Sequence, residues 1–430
     1  MATSPPDRSD WFAVRTRGAL DAAVRPPGSK SLTNRALAIA ALARGESTLV
    51  GALASEDTEA MCGCLEALGC PVVGDGDTWH VPGRDGRFSA PTGPLFAKNS
   101  GTTIRFLAAA ATLADGPVTL DGDARMRERP IGDLVDALTA LGAPAEVRGA
   151  AGCPPVHVAG KGLPGGATEI DGTRSSQVVS AVLMAAPYAQ RDVTLSLRRH
   201  GLVSRPYVDL TLDTMRAFGA EAAWTSDDGL RVRAGRRYAG RTFAIEPDAS
   251  AAAYPFCAAA IAGGRVRVTG IPAASIQADL ALLPILERMG CQVARGADYA
   301  EVRRDGRPLQ GVDVDMNALP DAALALAVVA IFAEGPTRIR NVANLRLKET
   351  DRLAALETEL RRLGADATAG PDSLEIVPGP LRGAPIETYD DHRMAMSFAL
   401  AGLRVPGVTI RDPACVAKTW PDYFSTLEHL

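Results

Sequence analysis

The sequence predicts a two-domain α/β protein assembled from six similar units, three to a domain. Three observations predict it. The chain has 430 residues, more than one ordinary core accommodates, so two domains of about 200 residues are expected. An amphipathic helix that ends in glycine and runs into a short strand recurs at Gly69, Gly142, Gly219, Gly290 and Gly364, at successive intervals of 73, 77, 71 and 74 residues. Self-similarity of this kind marks a repeat architecture. A second helix, apolar on nearly every face, shares the period.

The glycine-ended helices read CLEALGCPVV, LVDALTALGAPAEV, TMRAFGAEAAW, ILERMGCQVA and LETELRRLGADAT, with FSTLEHL as a truncated sixth copy. Glycine stops a helix because it enters the left-handed region without steric cost. Each of these helices shows one apolar stripe and should lie on the outside of its domain. The second set is NRALAIAALARG, TTIRFLAAAATLADG, SQVVSAVLMAAPYA, ASAAAYPFCAAAIAGG, DAALALAVVAIFAEG and DHRMAMSFALAGL. A helix hydrophobic all round must be buried. Between the helices sit β-rich runs such as PVTLDG, DVTLSL and RVRVTGI, so each unit should add a few strands packed over its buried helix.

Composition narrows the function. Hydrophobic residues make up 47% and charged residues 22%, the balance of a folded globular chain. A net charge of −4 gives no global field to recruit nucleic acid or an anionic membrane, so an anionic ligand must be held by local Lys and Arg clusters. Seven scattered cysteines (Cys62, Cys64, Cys70, Cys153, Cys257, Cys291, Cys415) lack the paired spacing of a zinc site and are expected to be reduced. The stretch from Met1 to Asp10 has two aspartates and no apolar run, which predicts neither a secretory signal nor a transit peptide and a cytoplasmic location. The apolar runs fall short of the ~20 residues that span a bilayer.

A helix N-terminus carries unpaired backbone N–H groups and partial positive charge, a ready anion site. The chain's most polar clusters stand just ahead of the buried helices: Lys30, Ser31 and Arg35; Asn99, Ser100 and Gly101; Ser175, Ser176 and Gln177; Asp321; and Asp391, His392 and Arg393. At the fourth helix, Asp248 and Ser250 read as plain N-capping. The run GSKS invites comparison with a Walker A loop, but Ser29 occupies the glycine position before the lysine, so that reading fails. In KNSGTTIRFL, Gly101 would let a ligand approach the backbone, whereas capping would explain Thr102 alone. Two adjacent serines in DGTRSSQVVSAVL exceed what a cap needs. LVSRPYVDL adds Ser204 and Tyr207, and RMRERPIGDL adds Arg125, Arg127 and Arg129, of which surface arginines are ordinarily just solvated. In NLRLKETDRL, salt bridging along a helix would explain Lys348, Glu349 and Arg352, but not Asn344. Lys418 and His392 complete the set, His392 standing beside Arg393 at a helix start.

Taken together, PGSKSLTNRA, NSGTTIRFL, RERPIGDLVDAL, RSSQVVSA, LVSRPYVDL, PDAALALA, NLRLKETDRL, YDDHRMAMSFAL and AKTWPDYF resemble the 5-enolpyruvylshikimate-3-phosphate synthase family, in family order. The resemblance implies an inside-out α/β barrel fold, two domains each of three βαβαββ units with buried helices. It places one domain at 26–246 and the other at 1–25 plus 247–430, with the site in the cleft between them. It implies transfer of the enolpyruvyl group of phosphoenolpyruvate to the 5-hydroxyl of shikimate 3-phosphate by addition and elimination. By the same resemblance Lys30, Asp321 and Glu349 are catalytic, Asp321 as base and Glu349 as proton carrier. Shikimate 3-phosphate falls to Lys30, Ser31, Arg35, Ser175, Ser176, Gln177, Ser204, Tyr207, Asp321, Asn344 and Lys348. Phosphoenolpyruvate falls to Lys30, Gly101, Arg129, Gln177, Arg352, His392, Arg393 and Lys418. No metal or cofactor is expected, because side-chain cations supply the charge, and a monomer is the default. Crowded cations should repel one another until anions arrive.

Two positions depart from the common family pattern: Ser100 stands where many members carry alanine, and Phe106 where many carry proline. Both bear on sensitivity to inhibitors such as glyphosate more than on the reaction. A rival reading, UDP-N-acetylglucosamine enolpyruvyl transferase, generally uses a loop cysteine ahead of an Arg-Pro pair, and the loop here, DARMRERP, has none. A non-catalytic anion-binding protein on the same fold would need the cations but hardly Asp321 and Glu349.

Overall fold

The computed structural model describes residues 11–430; the stretch before them, read above as free of a targeting signal, lies outside the described residues. Helices alternate along the chain as α1 (Lys30–Leu42), α2 (Glu56–Ala67), α3 (Gly101–Ala110), α4 (Gly132–Ala140), α5 (Ser176–Ala185), α6 (Arg205–Ala217), α7 (Ala249–Ala262), α8 (Leu282–Arg288), α9 (Ala323–Ala330), α10 (Arg352–Arg362), α11 (His392–Gly402) and α12 (Tyr423–Glu428). The odd-numbered helices are the apolar ones and are buried almost throughout; every residue of α3, α7, α9 and α11 is buried. The even-numbered helices bury one stripe, as in α10 with Leu353, Leu356 and Leu360. All five repeated glycines take positive φ, from 84° at Gly69 to 104° at Gly290. There an L-residue would be strained.

The sheets repeat one pattern. Thr242–Ala244 runs parallel to Glu46–Val50, which is antiparallel to Thr78–Pro82, which is antiparallel to Val73–Asp75. The same order, one parallel contact and then two antiparallel ones, recurs in four further sheets and, without its last strand, in a three-stranded sixth. The chain forms two compact units, Pro27–Asp248 and a C-terminal unit of Ala249–Leu430 joined by the residues before Pro27. The N-terminal strands complete the C-terminal unit: Leu20–Val24 pairs in parallel with Gly264–Thr269, and Trp11–Ala13 pairs antiparallel with Thr409–Arg411. Each unit has its own core, built on its three odd-numbered helices. All seven cysteines are free, and burial pushes the Cys62 and Cys64 thiols up to about 12. Among the described residues, no helix is long and apolar enough to cross a membrane.

Candidate active site

In the Pro27–Asp248 unit, polar side chains gather where the buried helices begin. Ser29 caps α1, and the backbone N–H of Lys30 donates to Asp248 Oδ2 at 2.9 Å. The Lys30 ammonium lies 3.3 Å from Asp57 Oδ2. Asn34 Nδ2 donates to Thr102 Oγ1 at 2.8 Å, tying α1 to the start of α3. Thr102 is therefore a strut between helices, and the cap of α3 is Ser100, whose hydroxyl accepts from Thr103 N. Arg105, one turn into α3, donates to Gly101 O at 3.2 Å, to Gln177 Oε1 at 3.1 Å and to Pro130 O at 2.6 Å. Gln177 is the second residue of α5, whose cap is Ser175 and whose first residue, Ser176, is buried. Of the three arginines in RMRERP, Arg125 pairs with Glu128 and Arg127 with Asp121 near the surface. Arg129 alone is buried, donating to Asn99 O and Oδ1 at 3.0 and 2.8 Å.

Arg35 is the most informative residue of this unit. Its side chain is only 1% exposed, and its donors go to Ser31 O, Tyr207 O and Thr211 Oγ1, at 3.0, 3.0 and 2.7 Å. Phe106 lies under it, 5.3 Å from ring centre to guanidinium carbon. Every one of those acceptors is neutral. Burial lowers the pKa of Arg35 to about 10, so it stays cationic at neutral pH while carrying a desolvation cost that no carboxylate among the described residues offsets. An anionic ligand would offset it. Ser204, which precedes α6 in the same neighbourhood of the chain as Tyr207, is buried with φ 55°, a left-handed position that non-glycine residues seldom take.

The C-terminal unit is organised differently. Arg352, the first residue of α10 and 1% exposed, donates from Nε to Asp391 Oδ2 at 2.7 Å, from Nη1 to Asp321 Oδ1 at 3.0 Å, and from Nη2 to Glu349 Oε2 at 2.9 Å. Arg393 Nη2 donates to Asp321 Oδ2 at 3.1 Å, and Lys348 Nζ is 3.5 Å from Asp321 Oδ1. Three cations thus share three carboxylates. The repulsion expected of crowded cations does not arise in this cluster, because Asp321, Glu349 and Asp391 stand between them. Asp391 also caps α11, accepting from Arg393 N at 2.9 Å. Burial is the largest influence on Asp321 and pushes its pKa up, but Arg393, Lys348 and Arg352 together outweigh it and hold the carboxyl well below its usual range. Asn344 is buried in the 3-10 turn Ala343–Leu347, His392 is buried at the start of α11, and Lys418 is buried at the end of the turn Pro413–Lys418.

In the C-terminal unit Asp321, Lys348, Glu349 and Arg393 meet around Arg352; in the other, Ser31, Arg35 and Tyr207 form one group and Gly101, Arg129 and Gln177 another. Four contributors carried no assigned role. Arg105 stood inside a quoted motif, and Asp391 inside a polar cluster. Asp57 looks from sequence like an acid placed for the helix dipole in the first turn of α2. Tyr254, whose hydroxyl accepts from Arg393 Nη1 at 3.3 Å, sits in the Ala-rich α7 and gives no sequence signal. Burial pushes its phenol up to about 12, so it stays protonated.

Carboxylates embedded among arginines and lysines at helix starts in a six-unit α/β fold mark a group-transfer enzyme for anionic substrates. The chain belongs to the family described as EPSP synthase (3-phosphoshikimate 1-carboxyvinyltransferase), which matches residues 14–427. A 3-phosphoshikimate 1-carboxyvinyltransferase of Nostoc punctiforme is 48% identical over 408 residues, covering 94% of this chain and 95% of the relative. That of Serratia proteamaculans is 46% identical over 426 residues, covering 98% and 99%. Among solved structures, an EPSP synthase from Acinetobacter baumannii matches with a TM-score of 0.81 at 26% identity, covering 97% of this chain and 98% of that one. The enolpyruvyl transferase NikO from Streptomyces tendae matches with a TM-score of 0.77 at 22% identity, covering 97% and 96%, a likeness of fold alone.

Proposed function

We propose that this protein transfers the enolpyruvyl group of phosphoenolpyruvate to the 5-hydroxyl of shikimate 3-phosphate, releasing phosphate. The single observation that carries the reading is the pairing of Asp321 and Glu349 on one buried guanidinium, Arg352. Binding alone needs cations; two carboxylates held on the same cation suit proton transfer. In this proposal Arg35, Ser31, Ser175, Ser176, Ser204, Tyr207, Asn344 and Lys348 hold shikimate 3-phosphate. Arg129, Arg352, His392, Arg393 and Lys418 hold phosphoenolpyruvate, with Gly101 leaving room and Lys30 and Gln177 serving both.

The chemistry follows from charge. Asp321, stabilised by three cations, is a poor base as it stands. When phosphoenolpyruvate engages Arg352 and Arg393, those cations turn to the new anion, and the proton affinity of Asp321 rises towards its task. Asp321 then takes the proton of the attacking hydroxyl as the hydroxyl oxygen bonds to the central carbon, while Glu349, loaded with a proton from solvent, delivers it to the methylene carbon. Glu349 takes a proton back from the resulting methyl group as the C–O bond to phosphate breaks, the proton on Asp321 passes to the released phosphate, and the arginines stabilise the developing charge. The proposal invokes no metal or cofactor and includes a cytoplasmic monomer. It is tested by following phosphate release: both substrates together should be required, and UDP-N-acetylglucosamine should not replace shikimate 3-phosphate. Release with phosphoenolpyruvate alone, or none with both, would sink it.

Gly101 gives a sharper geometrical test. A Cβ there would stand 2.7 Å from Arg129 Nη2, 2.9 Å from Arg105 Nη1 and 3.1 Å from Gln177 Oε1, so these polar ends must shift. Gly101→Ala is expected to raise KM for phosphoenolpyruvate by roughly 10-fold or more, the usual cost of a small misplacement of positioning groups. An unchanged KM would remove Gly101 from that pocket.

A further inference from the structure

Glu359 is fully buried on the inner face of α10, and the proposed chemistry makes no use of it. It follows Arg352 by two helical turns, so both side chains leave the same face of one rod, ~10 Å apart along its axis. Its carboxylate accepts the Tyr389 hydroxyl at 2.7 Å and the Glu387 backbone N–H at 3.4 Å, and pairs with Arg362 at 3.1 Å. Glu387 is held in turn by Arg411 at 2.5 Å.

The segment so gripped is a strained one. Tyr389 and Asp390 take φ of 57° and 54° in succession, a left-handed pair that neither side chain favours and that persists only where surrounding contacts enforce it. Tyr389 is 39% exposed, so its hydrogen bond must do much of what packing does elsewhere. The next three residues are Asp391, His392 and Arg393. Helix α10 therefore holds this turn at two points, Arg352 on Asp391 and Glu359 on Tyr389 with Glu387. Loss of the second leaves the turn free to pivot about the first.

We propose that Glu359 is a positioning residue: through Tyr389 it locks the left-handed turn that aims His392 and Arg393, and so sets the affinity for phosphoenolpyruvate. This rests on the functional reading above. The turn carries contacts proposed for phosphoenolpyruvate and none proposed for shikimate 3-phosphate, so the two substrates should respond differently.

The test is steady-state phosphate release by the full chain with Tyr389→Phe, Glu359→Ala, Glu359→Gln and the Tyr389→Phe/Glu359→Ala double variant, alongside melting temperatures. Tyr389→Phe removes only the hydroxyl that Glu359 accepts. It is expected to raise KM for phosphoenolpyruvate about 5- to 10-fold, leaving kcat and KM for shikimate 3-phosphate within about twofold and lowering the melting temperature by only a few degrees. Glu359→Ala should raise the same KM at least as far, Glu359→Gln should recover part of it by keeping an acceptor for the hydroxyl, and Tyr389→Phe added to Glu359→Ala should change nothing further. An unchanged KM in Tyr389→Phe, equal rises for both substrates, or effects that multiply in the double variant would overturn the inference while the functional reading stands. A wild-type chain that releases no phosphate overturns the functional reading, and the affinity claim with it.

Discussion

Glu349→Gln and Asp321→Asn are each expected to lower turnover at least ~100-fold, the usual cost of losing a group that transfers a proton. Both changes preserve shape and keep an oxygen to accept from Arg352, so the loss should lie in kcat. KM for phosphoenolpyruvate should stay level or fall, because neither substitution removes a cation and Asp321→Asn takes a negative charge from among Arg352, Arg393 and Lys348. That combination, a large drop in kcat without a rise in KM, separates proton transfer from mere binding. The measurement is initial-rate phosphate release with each substrate varied in turn. Near-normal turnover in either variant would take that carboxylate out of the mechanism.

Arg352→Met is expected to be the most destabilising substitution in the C-terminal unit. The guanidinium is buried and bonded to three carboxylates, and removing one partner of a buried ionic set costs about 3–5 kcal/mol because the others are left uncompensated. Thermal unfolding should shift down by roughly 10 °C at neutral pH. The pH dependence has a definite sign. Asp321 is held below its usual range by its cations, so its contribution is fully present above the ordinary carboxylate pKa and is lost as pH falls through the depressed folded value. The variant loses one of those cations, so its deficit should be greatest at neutral pH and shrink on acidification, as the stranded carboxylates protonate. A variant that melts with the wild type at neutral pH would mean that the three carboxylates do not depend on Arg352.

The repeat was legible because burial writes itself locally. A helix such as α9, ALALAVVA, has no polar face to show water, and a glycine such as Gly290 ends its helix whatever lies beyond. The residues of the clusters were legible too, since Lys30, Asp321, Glu349 and Arg393 stand beside helix starts that attract anions. Their partners were less so. Lys348, Glu349 and Arg352 could be read as a surface ladder along one helix, yet Arg352 is buried and, besides Glu349, bonds Asp391 and Asp321, 39 and 31 residues away. Thr102 read as a cap, yet it braces Asn34 across 68 residues of chain.

Periodicity and helix-end chemistry are properties of neighbouring residues, and so the six units, their buried helices and the positions of the polar groups were already present in the order of amino acids. Which charge meets which is a property of helices brought together by the sheets, and it was decided only in three dimensions. Folding left Arg35 buried among neutral acceptors, balanced three cations against three carboxylates around Arg352, and set Glu359 against Tyr389. Electrostatic energy depends on distance through space and on exclusion of water, and neither quantity is written along the chain.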